Sequence, residues 1–128
     1  MADEVKTILV VDDDNGVQST FKILLEKKGY QVLLADDGNQ ALQALENTHV
    51  DLVLLDVLMP DKEGIETLID IKQKHPSVSV LVMSGGGSRS KHDFLSVAAK
   101  FGADATIKKT MGAAEILNLV DNHVRSAA

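Results

Sequence analysis

Five short apolar runs recur along the chain: "ILVV" (8–11), "QVLLA" (31–35), "DLVLLD" (51–56), "VSVLVM" (78–83) and "DATIK" (104–108). Each has strand length, and the middle ones are too continuously apolar for a strand with one wet face. Between them lie segments with helical spacing. Val17, Phe21, Leu24 and Leu25 form one stripe, and Ile65, Leu68, Ile69 and Lys72 a second. Ala113, Ile116, Leu117, Val120 and Val124 form a third at the end of the chain. Strands buried on both faces that alternate with amphipathic helices require a parallel sheet, because parallel neighbours need crossover connections and right-handed crossovers put helices on each side. The pattern predicts βα repeated five times in a three-layer α/β/α sandwich. Gly29, Gly38, Gly64, Gly102 and Gly112, with Pro60 and Pro76, fall in the connections. No linker, low-complexity tract or repeated motif interrupts the 128 residues, so we expect a single domain over 1–128.

The composition narrows the chemistry. The absence of cysteine removes thiolate metal sites, disulfides and Cys nucleophiles. No apolar run approaches the roughly 18–20 residues of a membrane span, and the start "MADEVK" lacks a basic n-region, so the expected location is the cytoplasm. The net charge of -6, with no basic cluster longer than Lys27-Lys28 and Lys108-Lys109, argues against direct nucleic-acid binding by this domain. Proteins or small phosphorylated molecules are the expected partners.

In an open parallel sheet, ligands bind beyond the carboxyl ends of the strands, where strand order reverses. At those ends stand Asp12, Asp13 and Asp14 after the first run, Asp56 after the third, Ser84 after the fourth, and Lys108 and Lys109 after the fifth. Two carboxylates about 4 Å apart repel by roughly 4 kcal/mol at an effective dielectric near 20. A hard divalent cation such as Mg2+ removes that repulsion while keeping waters for a phosphate oxygen. A carboxylate at the centre of such a site can attack phosphorus to give an aspartyl phosphate. Asp56 is the central candidate, with the Lys109 ammonium and the Ser84 hydroxyl placed to stabilise phosphoryl oxygens.

"ILVVDDD", "ADDGNQAL", "DLVLLDVLMPDKEG", "VLVMSG" and "GADATIKK" occur in an order and spacing that resembles the receiver domain of bacterial two-component response regulators over essentially the whole chain. The resemblance implies a doubly wound, flavodoxin-like (βα)5 fold of strand order 2-1-3-4-5. It also implies phosphotransfer to Asp56 from a phosphohistidine on a sensor histidine kinase or histidine phosphotransfer protein. By the same resemblance Asp13 ligates Mg2+ directly, Asp12 mainly through water, and the Leu58 backbone carbonyl completes the protein ligands. Ser84 takes the Ser/Thr switch position and Lys109 the lysine position. Output runs through a downstream protein target, as a stand-alone regulator, a phosphorelay intermediate or part of a longer regulator, by a monomer or a phosphorylation-dependent dimer. The implied switch rearranges the face made by the fourth helix, fifth strand and last helix.

Several residues depart from the family pattern. Thr106 stands where an aromatic switch residue is usual, and Thr110 where proline follows the lysine, which predicts another path for that loop because a cis bond before a non-proline costs about 3–4 kcal/mol. "GGGSRS" (85–90) adds backbone freedom after Ser84, and we expect residues 85–92 to reorder on phosphorylation. Leu58 and Gly86 cannot position hydrolytic water, which predicts slow self-dephosphorylation. Other polar residues have plainer readings. Asp14 reads as a helix N-cap, Asp36 and Asp37 as turn and capping residues, and Lys108 and the segment Asp61, Lys62, Glu63 as solvated. His49, His75, His92 and His123 share no ligand spacing and read as surface residues.

Two rival functions stand beside the receiver. A haloacid-dehalogenase-type phosphohydrolase would use Asp12 as nucleophile and Asp14 as general acid, but the chain has neither the length nor the late acidic pair. A degenerate receiver would act as an unphosphorylated interaction module. "GGGSRSK" fits neither a P-loop nor GxGxxG, and an EF-hand frame from Asp12 puts Ile23 where Glu is needed.

Overall fold

The computed structural model describes residues 5–56, 63–84, 98–108 and 111–127. The strands are β1 (Thr7–Val11), β2 (Gln31–Ala35), β3 (Leu52–Asp56), β4 (Ser79–Ser84) and β5 (Ala105–Lys108). The helices are α1 (Asn15–Lys27), α2 (Gly38–Asn47), α3 (Glu63–Lys74) and α4 (Ala113–Ala127). The helix expected between β4 and β5 lies outside the described residues apart from 98–100, which are helical. All pairings are parallel and the sheet order is β2-β1-β3-β4-β5. This is the doubly wound flavodoxin-like order, with its reversal between β1 and β3.

Alternation along the central strands divides the core into two. Leu9, Val11, Val53 and Leu55 point to one face and pack with Ala41 and Leu45 of α2 and Leu68 and Ile71 of α3. Ile8, Val10, Leu52 and Leu54 point to the other and pack with Phe21 and Leu25 of α1 and Ile116, Val120 and Val124 of α4. Every residue of β1 and β3 is buried, which accounts for the unbroken apolar runs from Ile8 to Val11 and from Leu52 to Leu55. Full burial of each such Leu, Ile or Val contributes about 1.5–3 kcal/mol.

The helix stripes need adjustment. On α1 the buried positions are Gln18, Phe21 and Leu25, while Val17 and Leu24 are half-buried. On α3, Ile71 is buried, and Lys72 is half-buried with its ammonium on the Val78 carbonyl (3.0 Å) and Asp104 Oδ2 (3.2 Å). On α4, Ala113 is exposed and the contact begins at Ile116. The turn after α1 closes with Gly29 at φ 95°, a left-handed conformation that glycine adopts without steric cost.

The register sets the site. Val11 pairs with Leu55 and Asp56 with Met83, so Asp12 and Asp56 leave the sheet at one level in adjacent strands.

Candidate phosphoryl and metal site

Asp12, Asp13 and Asp56 each present a carboxylate oxygen within 4.8 Å of the others, and among the described residues they form the only such grouping of potential metal ligands. Asp12 is fully buried, Asp56 is 5% exposed and Asp13 faces solvent. The neighbouring backbone fixes Asp12 closely. Its N–H donates to the Ala35 carbonyl (3.1 Å), extending the β1–β2 ladder by one bond, and its Oδ1 accepts from the Asp14 N–H (2.9 Å). An all-oxygen, all-carboxylate set open to water on one side suits a hard cation that keeps part of its hydration shell.

Asp14 is occupied elsewhere. Its Oδ1 accepts from the N–H groups of Gly16 (2.7 Å) and Val17 (3.2 Å), making it the N-cap of α1. A Cβ on Gly16 would stand 3.1 Å from that oxygen, so glycine lets the cap close. Asp37 caps α2 in the same way, through the Gln40 N–H (2.9 Å), while the Gln40 side chain accepts from the Asp36 N–H (2.9 Å).

Gln18 is the residue of this region that reading the sequence for acids and cations misses. Its amide is buried behind the acidic loop and donates to the Asp12 carbonyl, to the Ala35 carbonyl and to Asp36 Oδ1. Asp36 therefore does more than turn chemistry. The trace was present in the periodicity: Gln18 stands three residues before Phe21 and seven before Leu25, a polar residue on the buried face.

Ser84 ends β4, in register with Lys108 of β5; its side chain lies outside the described residues. Leu58, Lys109, Thr110, His92, the segment 85–92 and the segment Asp61, Lys62 also lie outside them, as does the Glu63 side chain. Lys108 is exposed, as expected, and Thr106 is half-buried. His49 is exposed and 3.0 Å from Asp51 Oδ1, whereas His123 is half-buried with Nδ1 2.8 Å from the Leu119 carbonyl, contrary to a surface reading.

The profile of the response regulator receiver domain matches residues 8–121. The chain belongs to that family. The receiver is 38% identical over 110 residues to the transcriptional regulatory protein CpxR of Klebsiella pneumoniae, covering 86% of this chain and 45% of that protein. It thus spans about half the length of the curated relatives it matches first. A CheY-like receiver domain protein from Methanospirillum hungatei superposes with a TM-score of 0.87 at 29% identity over 97% of both chains. The beryllofluoride-activated NtrC4 receiver domain dimer superposes with a TM-score of 0.85 at 28% identity, over 97% of this chain and 100% of that one. Membership of a two-component signalling family sets aside the dehalogenase reading, and the capping role of Asp14 agrees.

Proposed function

We propose that this receiver takes a phosphoryl group onto Asp56 from a phosphohistidine on a sensor histidine kinase or histidine phosphotransfer protein. The observation that carries this reading is the convergence of Asp12, Asp13 and Asp56 at the carboxyl ends of adjacent parallel strands. An Asp56 carboxylate oxygen attacks phosphorus, the P–O bond forms as the P–N bond to imidazole breaks, and the donor histidine leaves with the electron pair. Lys109 and Ser84 stabilise the transferring oxygens. Asp12, Asp13, Asp56 and the Leu58 carbonyl are the residues that would hold Mg2+. The ion supplies charge neutralisation at the phosphoryl oxygens when bound.

The chain acts as a phosphoacceptor rather than a turnover enzyme, as one receiver domain over 1–128, in the cytoplasm. Among the described residues no helix is long and apolar enough to cross a membrane. Relatives such as CpxR are called transcriptional regulators, but their names describe proteins more than twice the length matched here. The acidic net charge supports a domain that signals through a protein target rather than by direct contact with nucleic acid.

The test is intact mass after incubation with Mg2+ and acetyl phosphate. A labile gain of about 80 Da, the mass of one phosphoryl group in an acyl phosphate, is expected for the wild type and not for Asp56→Asn, and it should persist for many minutes given Leu58 and Gly86. No adduct from acetyl phosphate or from a phosphohistidine donor would favour the unphosphorylated interaction module.

A further inference from the structure

Gln18 is 5% exposed, on the face of α1 that otherwise buries Phe21 and Leu25. Burying a primary amide in that position is unfavourable unless its hydrogens find acceptors. Here they find three: the Asp12 carbonyl at 2.7 Å, Asp36 Oδ1 at 2.8 Å and the Ala35 carbonyl at 3.1 Å. The Ala35 carbonyl is shared with the Asp12 N–H, so one side chain clamps the ends of β1 and β2 just beyond their last ladder pair, Val11 and Ala35. Asp12 is consequently held at its N–H by β2, at its carbonyl by α1 and at Oδ1 by the Asp14 N–H.

Groups that orient a metal's ligands without touching the ion raise affinity, because the ligands are ordered before the ion arrives; removing such a partner weakens binding by about 10- to 100-fold. We propose that Gln18 is a positioning residue for the cation site, its amide holding the β1–α1 loop so that the Asp12 and Asp13 carboxylates face Asp56 before any ion binds. The role rests on the metal reading of these three aspartates given above. Its reach extends to α2, because Asp36, which accepts from the amide, donates its N–H to Gln40.

The test is Mg2+ titration of the full chain by calorimetry, paired with thermal melting in chelator. Gln18→Met removes the donors at similar volume and should weaken Mg2+ about tenfold. Gln18→Arg keeps N–H donors and should recover most of the affinity. Gln18→Leu also lacks donors and leaves the charge unchanged, and gives the same comparison should the methionine variant fail to fold. A role limited to stability would lower the melting temperature of Gln18→Met and leave its Mg2+ affinity at the wild-type value, and that result overturns the proposal. So would equal losses in the arginine variant and the donor-free ones. Wild-type protein that takes up no Mg2+ would overturn the metal reading itself, an outcome distinct from normal uptake that is indifferent to Gln18.

Discussion

Three adjacent aspartates with the same side chain perform different tasks because the backbone offers each a different partner. Asp14 accepts two N–H groups that the first turn of α1 leaves unpaired. Asp14→Ala should therefore cost about 1 kcal/mol of stability in urea denaturation while Mg2+ affinity stays near wild type. A large loss of metal binding would return Asp14 to the site. Asp13 is exposed and close to two buried carboxylates, so it adds repulsion that a bound cation relieves. We expect Asp13→Asn to melt a few degrees higher than wild type in chelator, about 1 kcal/mol more stable, and to lose the rise in melting temperature that Mg2+ gives the parent chain. Reading the sequence separated these roles by simple rules: an acid just ahead of an amphipathic helix caps it, and acids at a strand end bind. It left Gln18 out because a glutamine has no charge to draw notice, and only the fold shows three acceptors around it.

The elements were legible wherever apolar periodicity was unmixed, and their boundaries moved where a side chain replaces a backbone partner. β2 spans the expected 31–35. β3 starts at Leu52 rather than Asp51 because Asp51 spends its carboxylate on the Thr7 N–H (2.8 Å) and its own N–H on the Thr7 carbonyl (2.9 Å). β1 reaches back to Thr7 through its pairing with Gln31 of β2. β5 starts after Asp104 for a parallel reason: its carboxylate accepts from the buried Val80 N–H (2.8 Å) and its N–H donates to the Val80 carbonyl (2.8 Å). Acids at two strand starts thus stitch neighbouring strands at the end of the sheet opposite the site. Asp104→Ala strands the Val80 N–H and removes an anchor of Lys72, so it should cost about 1–3 kcal/mol and speed amide exchange at Val80. A loss below a few tenths would mean that water replaces the carboxylate. Leu58 enters only through the family resemblance and Lys109 through its place after the fifth strand, and both lie outside the described residues.

At the scale of the molecule, the described residues form two apolar clusters on opposite faces of the sheet, which is their shared layer. The site lies at the end of that shared layer, so a charge placed there borders both clusters. The solved NtrC4 receiver is an activated dimer. Sedimentation of this chain with and without beryllofluoride and Mg2+ separates the two expected states, a monomer throughout or a dimer that forms only on activation. The α/β architecture was readable from the βα alternation alone, whereas strand order entered through the family resemblance, because periodicity does not say which strands are neighbours. The order has a temporal side. β1 leads into the acidic pair and is followed in the chain by β2, yet its other neighbour, β3, ends in Asp56 and is made only after β2 and α2. A chain still emerging from the ribosome can display Asp12 and Asp13 but has no partner strand to complete the cluster. The grouping of Asp12, Asp13 and Asp56 therefore exists only once β3 has been made and has paired with β1.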